Sequence, residues 1–106
     1  MTSIQFIVDE IKKVYVMKTE HAFDTYFFKE TIDIDNIGEF ACSVSLKLDW
    51  ENWVLCANEN YFVLEIDDDK YIVVYFADDR NDNSTEFVIR RCNNIEEYND
   101  AILAIS

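Results

Sequence analysis

A chain with no proline and a single glycine, Gly38, has to build its turns from other residues. Asp and Asn are the natural substitutes, because they tolerate left-handed backbone and hydrogen-bond to their own main chain; clusters of them mark where the chain reverses. Such clusters stand at Asp35-Asn36-Ile37-Gly38, at Asn58-Glu59-Asn60, at Asp67-Asp68-Asp69 and from Asp78 to Ser84. They cut the 106 residues into short apolar segments. That length suits one acidic α+β domain spanning 1–106, since domains commonly run to about 100–150 residues.

The segments carry readable periods. Ile4, Ile7, Val8, Ile11, Val14 and Tyr15 recur at helical spacing, with Asp9, Glu10, Lys12 and Lys13 on the other face. This predicts a helix over Thr2–Val14, with Thr2 and Gln5 as its capping box. From His21 to Ile34 two periods compete. Phe23, Tyr26 and Phe27 fit a helical stripe, whereas Tyr26, Phe28, Ile32 and Ile34 alternate with Lys29, Thr31 and Asp33; the residue types favour a strand over about 24–34. Alternation is cleanest from Phe40 to Trp50. There Phe40, Cys42, Val44, Leu46, Leu48 and Trp50 would face the core, and Ala41, Ser43, Ser45, Lys47 and Asp49 the solvent.

Trp53–Ala57, Tyr61–Ile66, Lys70–Phe76 and Thr85–Cys92 read as further strands, and the short connections between the first three require antiparallel neighbours. Asn94 with Glu97 starts a C-terminal helix carrying Ile95, Tyr98, Ile102, Leu103 and Ile105. The expected fold is therefore α+β: an antiparallel five- to six-stranded meander sheet with an N-terminal and a C-terminal helix packed on one face.

Half of the residues are hydrophobic, including 8 Phe, 6 Tyr and 2 Trp, enough to close a core and to exclude a disordered chain. Against that core stand 22 acids and only 9 bases, a formal charge of −13. Such a field repels nucleic acid and anionic lipid and attracts basic partners, although solubility alone also accounts for many acidic surfaces. The only adjacent basic pairs are Lys12-Lys13 and Arg90-Arg91, too few for a nucleic-acid site; the Arg pair is expected to lie within a strand, pairing with acids on its neighbours. Cys42, Cys56 and Cys92 form no C-x-x-C and read as reduced core residues of a cytoplasmic protein. Charges within the first twenty positions interrupt any run able to cross a bilayer or to act as a secretion leader.

Motifs for catalysis are missing. His21, the one histidine, has neighbours Glu20, Ala22 and Phe23 and no ligand spacing. Asp33-x-Asp35 and Asp79-x-Asn81-x-Asn83 imitate the start of a calcium loop. Ile37 and Val44 occupy ligand positions of the first, while Ser84 and Arg90 replace the turn glycine and the bidentate Glu of the second. No phosphate-binding glycine loop and no nucleophile elbow occurs. The expectation is a non-enzymatic protein with no cofactor and no metal.

In a meander, alternate turns gather at opposite ends of the sheet. Asp35, Glu59, Asp78, Asp79 and Asp82 would share one end, with Asp33 close by; Asp49, Glu51, Asp67, Asp68 and Asp69 would share the other. Aromatics neighbour both, Tyr26 and Tyr61 at the first and Trp50 and Trp53 at the second, with Trp53 the better candidate for exposure because Trp50 continues the inward series. An acidic rim speeds encounter with a basic partner, and an exposed aromatic anchors the complex once formed. The partner-binding candidates are therefore Asp49, Glu51, Trp53, Glu59, Asp67, Asp68, Asp69, Asp78, Asp79 and Asp82. The same acids would also be present if they only made turns.

In size, charge and α+β outline the chain resembles the small acidic immunity proteins that bacteria encode beside polymorphic or contact-dependent growth-inhibition toxins. The resemblance rests on type and on no diagnostic residue string. It implies tight binding to a cognate toxin domain, often a basic nuclease, whose active site or substrate surface is covered. A phage-encoded anti-defence inhibitor whose carboxylates imitate DNA phosphates uses the same charge logic. It would need a long regular stripe of acids, whereas these acids fall mainly in turns. A secretion-type chaperone would expose an apolar edge or helix face, and an enzyme using Asp78 and Asp79 for proton transfer would need carboxylates converging in a pocket.

Overall fold

The structure, a computed structural model, describes residues 3–17, 23–28, 36–67, 70–79 and 84–105. In chain order these form α1 (Ser3–Met17), β1 (Phe23–Phe28), α2 (Ile37–Lys47), β2 (Trp53–Ala57), β3 (Tyr61–Asp67), β4 (Lys70–Asp79), β5 (Ser84–Cys92) and α3 (Ile95–Ile105). Strands β2 to β5 make an antiparallel meander. β1 departs from it by lying antiparallel to β5, from Phe23 opposite Arg90 to Phe28 opposite Thr85, so that the sheet order is β1-β5-β4-β3-β2. A single meander of consecutive strands is thus replaced by one whose first strand joins the far edge. Of the ambiguous stretch from His21 to Ile34, 23–28 is strand and the rest lies outside the described residues.

The segment from Phe40 to Trp50, expected as a strand, is helix α2 as far as Lys47, and Leu48–Trp50 leave the helix without forming a strand. Ile37, Ala41, Val44 and Leu48 are buried at steps of four, three and four, while Cys42 is exposed and Leu46 is 86% exposed. Val44 and Leu48 satisfy both periods; Ala41, which alternation assigned to solvent, is completely buried, and Cys42 and Leu46, which it assigned to the core, are exposed. Glu39 in the first turn and Lys47 in the last oppose the helix dipole in the favourable sense.

The placement of the helices also differs from expectation. Instead of both terminal helices covering one face, α1 and α2 cover one and α3 covers the other. Ile7, Val8, Ile11 and Val14 of α1 and Ala41 and Val44 of α2 pack on Phe62, Leu64, Ile72, Val74, Phe87 and Ile89 of the sheet. On the reverse side Ala101, Tyr98, Ile102 and Ile105 of α3 meet Val63, Tyr71, Val73 and Cys92. The cause lies in β3 and β4, whose sequences YFVLEID and KYIVVYFADD are nearly continuous apolar runs. Such strands have two faces to hide, and a single layer of helices leaves one of them wet.

Local chemistry sets the boundaries. Asn94 Oδ1 accepts the amide of Glu97 at 2.9 Å, and Glu97 Oε2 returns to the amide of Asn93 at 2.8 Å, which starts α3. At α1 the proposed cap residue Thr2 lies outside the described residues, and Gln5 instead bonds Asp9 within the helix at 2.9 Å. Glu10, assigned to the solvent face, is buried and bonded to Lys13 at 3.1 Å. β4 runs on to Asp79 and β5 begins at Ser84, so Asp78 and Asp79 are strand residues opposite Thr85 and Ser84, not loop.

The three cysteines are free, but only Cys92 is a core residue; Cys56 is half-buried and Cys42 is exposed on α2. Burial pushes the Cys92 thiol up to about 11, with Glu97 adding to the rise and Arg90 opposing it. Tyr98, whose ring lies 4.7 Å from that of Tyr71, is pushed up to about 12, first by burial and then by the Cys56 thiol beside it.

Candidate functional site

The acidic end of the sheet is assembled from three pieces: the C-terminal half of α1, the segment Leu48–Asn52, and the β3 terminus. Asn52 fixes the middle piece. Its Oδ1 accepts from Ser45 Oγ at 2.6 Å, and its Nδ2 donates to the carbonyls of Trp50 at 2.8 Å and Ser45 at 3.3 Å, tying the approach to β2 back onto the end of α2. Leu48 inserts into the core and Trp50 packs against it, so the intervening Asp49 and the following Glu51 are left outside. A segment that puts every apolar residue inward offers its acids to solvent at fixed positions.

Three neighbours hold this end to α1. Lys12 Nζ meets Asp49 Oδ2 at 2.9 Å, an exposed pair worth less than about 1 kcal/mol because the Asp49 side chain is 83% exposed. Tyr15 donates from its hydroxyl to Asp67 Oδ2 at 3.5 Å, the limit of a hydrogen bond, and its ring stacks on Trp50. Arg91 reaches the same place from β5: its Nη1 donates to the Tyr15 carbonyl and its guanidinium lies 5.1 Å from the centre of the Tyr15 ring. Arg91 is buried, and its Nε has no hydrogen-bond partner among the described residues. Arg90 and Arg91 lie within β5 as expected, and Arg91 directs its guanidinium to a carbonyl and an aromatic ring.

Asp49, Glu51 and Asp67 therefore stand exposed at one sheet end, close to Trp53, which is 48% exposed. Trp53 donates from Nε1 to Glu65 Oε2 at 3.0 Å, so a fourth carboxylate is held against the indole. Asp68 and Asp69, which join β3 to β4 at this end, lie outside the described residues. Lys70, half-buried and opposite Asp67 in the register, is the cation at the start of β4.

The opposite end is more dispersed. Asn58 makes the β2–β3 turn by accepting the amides of Asn60 at 2.8 Å and Tyr61 at 3.0 Å on its side-chain oxygen, and Glu59 stands exposed at the tip. β4 continues past β3, whose pairing begins at Tyr61 opposite Tyr75. The amide of Phe76 donates to the Asn60 carbonyl at 2.7 Å, so the β2–β3 turn lies beside β4 just before Asp78 and Asp79, which pair with Thr85 and Ser84 of β5. Asp82, with Asp33 and Asp35, lies outside the described residues.

A cleft of about 190 Å³ opens between α3 and the sheet, lined by Val73, Tyr75, Val88, Ala101 and Ile105 together with Arg90. No carboxylate lines it among the described residues. Nor do the described residues contain a cluster of three or more His, Cys, Asp or Glu side chains able to hold a metal ion, and no helix among them is long and apolar enough to cross a membrane.

Two contributors carry no local signal. Tyr15 stands at the end of an apolar stripe and Arg91 in a basic pair, and nothing nearby in sequence marks their meeting, since they are 76 positions apart. The fold and this end together define a class, a small α+β protein with an acidic, aromatic-flanked sheet end. No family model, no curated protein and no solved structure matches the chain.

Proposed function

We propose that the chain is a protein-binding inhibitor, an immunity protein that neutralises a cognate basic, nuclease-type toxin domain in the cytoplasm by occupying it, without catalysis or cofactor. The observation that carries this reading is the exposed trio Asp49, Glu51 and Asp67 beside half-exposed Trp53, on a segment anchored by Asn52. Carboxylates held at fixed positions draw in a cationic surface at long range, and an aromatic next to them supplies apolar contact after docking. Their arrangement as a patch at a sheet end, and not as a stripe spaced like a duplex backbone, favours one fitted protein partner over imitation of DNA by an anti-defence inhibitor.

The test is co-expression with the protein encoded by the adjacent gene, followed by stopped-flow association at rising ionic strength. Rescue of growth, with an association rate that falls steeply with salt, is the expected result. In the triple variant Asp49→Asn, Glu51→Gln, Asp67→Asn the rate should drop at least tenfold and its salt dependence should flatten. Binding that is rapid and indifferent to salt, or no rescue by the native protein, would overturn the reading.

A further inference from the structure

The sheet ends in an edge that natural proteins seldom leave bare. β2 is terminal in the strand order and, among the described residues, its backbone is hydrogen-bonded only to β3. Its sequence, Trp53-Val54-Leu55-Cys56-Ala57, has no charge and no proline, and exposure alternates along it. Trp53 and Leu55, 43% exposed, are two of the large hydrophobic side chains left in solvent. Edge strands are ordinarily protected by charges, proline or a cover, because unpaired amides and carbonyls recruit further strands.

Charge surrounds this edge without entering it. Glu51 precedes the strand by two residues, Glu59 follows it by two, and both are exposed; Glu65 is held against Trp53 from β3. From Leu48 to Asp69 the chain has seven acids, Asp49, Glu51, Glu59, Glu65, Asp67, Asp68 and Asp69, and neither Lys nor Arg.

We infer that β2 is a docking edge for a short extended segment of a basic protein, which adds to the sheet as a strand with an apolar centre over Trp53 and Leu55 and Lys or Arg flanks opposite Glu51 and Glu59. This rests on the reading of the protein as an inhibitor of a basic partner and gives that partner a specific recognition element. Main-chain hydrogen bonds to the edge supply affinity and the alternating side chains supply selectivity. Five residues of strand span about 17 Å, which suits an inserted segment of four to six residues. A second copy of the chain is the wrong occupant. Antiparallel self-pairing of β2 would set Glu51 of each copy against Glu59 of the other between two molecules of charge −13. The irregularity between Val54 and Cys56 sets Leu55 out of register with β3, and an added segment has to follow that bulge.

Selection of a displayed random dodecapeptide library on the full-length protein tests this, with amide hydrogen exchange of the complex as the structural readout. The expected binders have two or more alternating aromatic or β-branched residues flanked by Lys or Arg, and slow the exchange of amides 53–57. Leu55→Pro and Leu55→Lys should each weaken them at least tenfold. Circular dichroism and thermal unfolding verify that the variants fold; should the proline variant not fold, the lysine variant decides. Failure to enrich such sequences overturns the inference, as does protection confined to 49–51 and 67 with no effect of the Leu55 variants, or concentration-dependent dimers with 53–57 protected without peptide. Salt-dependent binding of the adjacent gene's product that survives both Leu55 variants overturns the docking edge while leaving the inhibitor reading standing. Loss of that binding in the native protein overturns the inhibitor reading itself.

Discussion

Tyr15 and Trp50 stack with ring centroids 4.3 Å apart and planes inclined by 26°. The pair couples α1 to the segment that enters β2, and Arg91 completes it from β5. The acidic end therefore owes its shape to an aromatic clasp between elements distant in sequence. Tyr15→Ala should cost about 2–3 kcal/mol in urea unfolding followed by far-UV circular dichroism. A double-mutant cycle with Trp50→Ala should show coupling of about 0.5–1.5 kcal/mol. Additive losses would mean that the two rings contribute only their separate burial.

Helix α2 makes opposite demands on two of its residues. Ala41 is fully buried and Leu46 almost fully exposed, the reverse of what a strand would give. Ala41→Asp places an unpaired carboxylate in the core and should destabilise by more than about 3 kcal/mol, whereas Leu46→Lys should lie within about 0.5 kcal/mol of the parent. Thermal unfolding of the two variants decides between the periods, because a strand here predicts the larger loss at Leu46.

At the β2–β3 turn, structure and charge belong to different residues. Asn58 caps the turn with two hydrogen bonds to backbone amides, while Glu59 is exposed. Asn58→Ala should cost about 1–2 kcal/mol and Asn58→Asp much less, since a carboxylate accepts the same two amides. Glu59→Gln should leave stability within about 0.5 kcal/mol. Chemical denaturation of the three variants would show whether the acid here is needed for the turn; a large loss at Glu59 would return it to a structural role.

Cys92 links stability to alkaline pH. Its thiol is raised from 9.0 to about 11 in the folded protein, chiefly by burial, so unfolding favours the thiolate. The contribution is complete below the unfolded value and is lost as pH climbs through the folded one. Stability should therefore decline between about pH 9 and pH 11, by roughly 2 kcal/mol from this group. Cys92→Ala should be less stable at neutral pH, because a core side chain is truncated, yet show a flatter decline over that window. In native protein at pH 8, alkylation should mark exposed Cys42 and spare Cys92 until the chain is unfolded.

The sequence by itself determined the features that are local. Asn58 and the Asn94–Glu97 pair mark a turn and a helix start wherever they sit, because their partners are two to four residues away. The stripe Ile7, Val8, Ile11 and Val14 admits only a helix, and the short connections around Asn58-Glu59-Asn60 and Asp67-Asp68-Asp69 force antiparallel strands. The separation of Glu59 from Asp49, Glu51 and Asp67 at opposite sheet ends follows from that connectivity. Tertiary structure alone decided the rest. Phe40 to Lys47 alternates like a strand yet forms a helix, because there Ala41 and Val44 close over the faces of β2 and β3 beside α1. β3 and β4, apolar on both sides, state that two covers are required but not which helix goes where. Nor does a linear pattern reveal that Arg91 meets Tyr15 across the fold, or that β2, uncharged and half-exposed, ends as an edge: both depend on which strands become neighbours, and that is settled by packing over the whole chain.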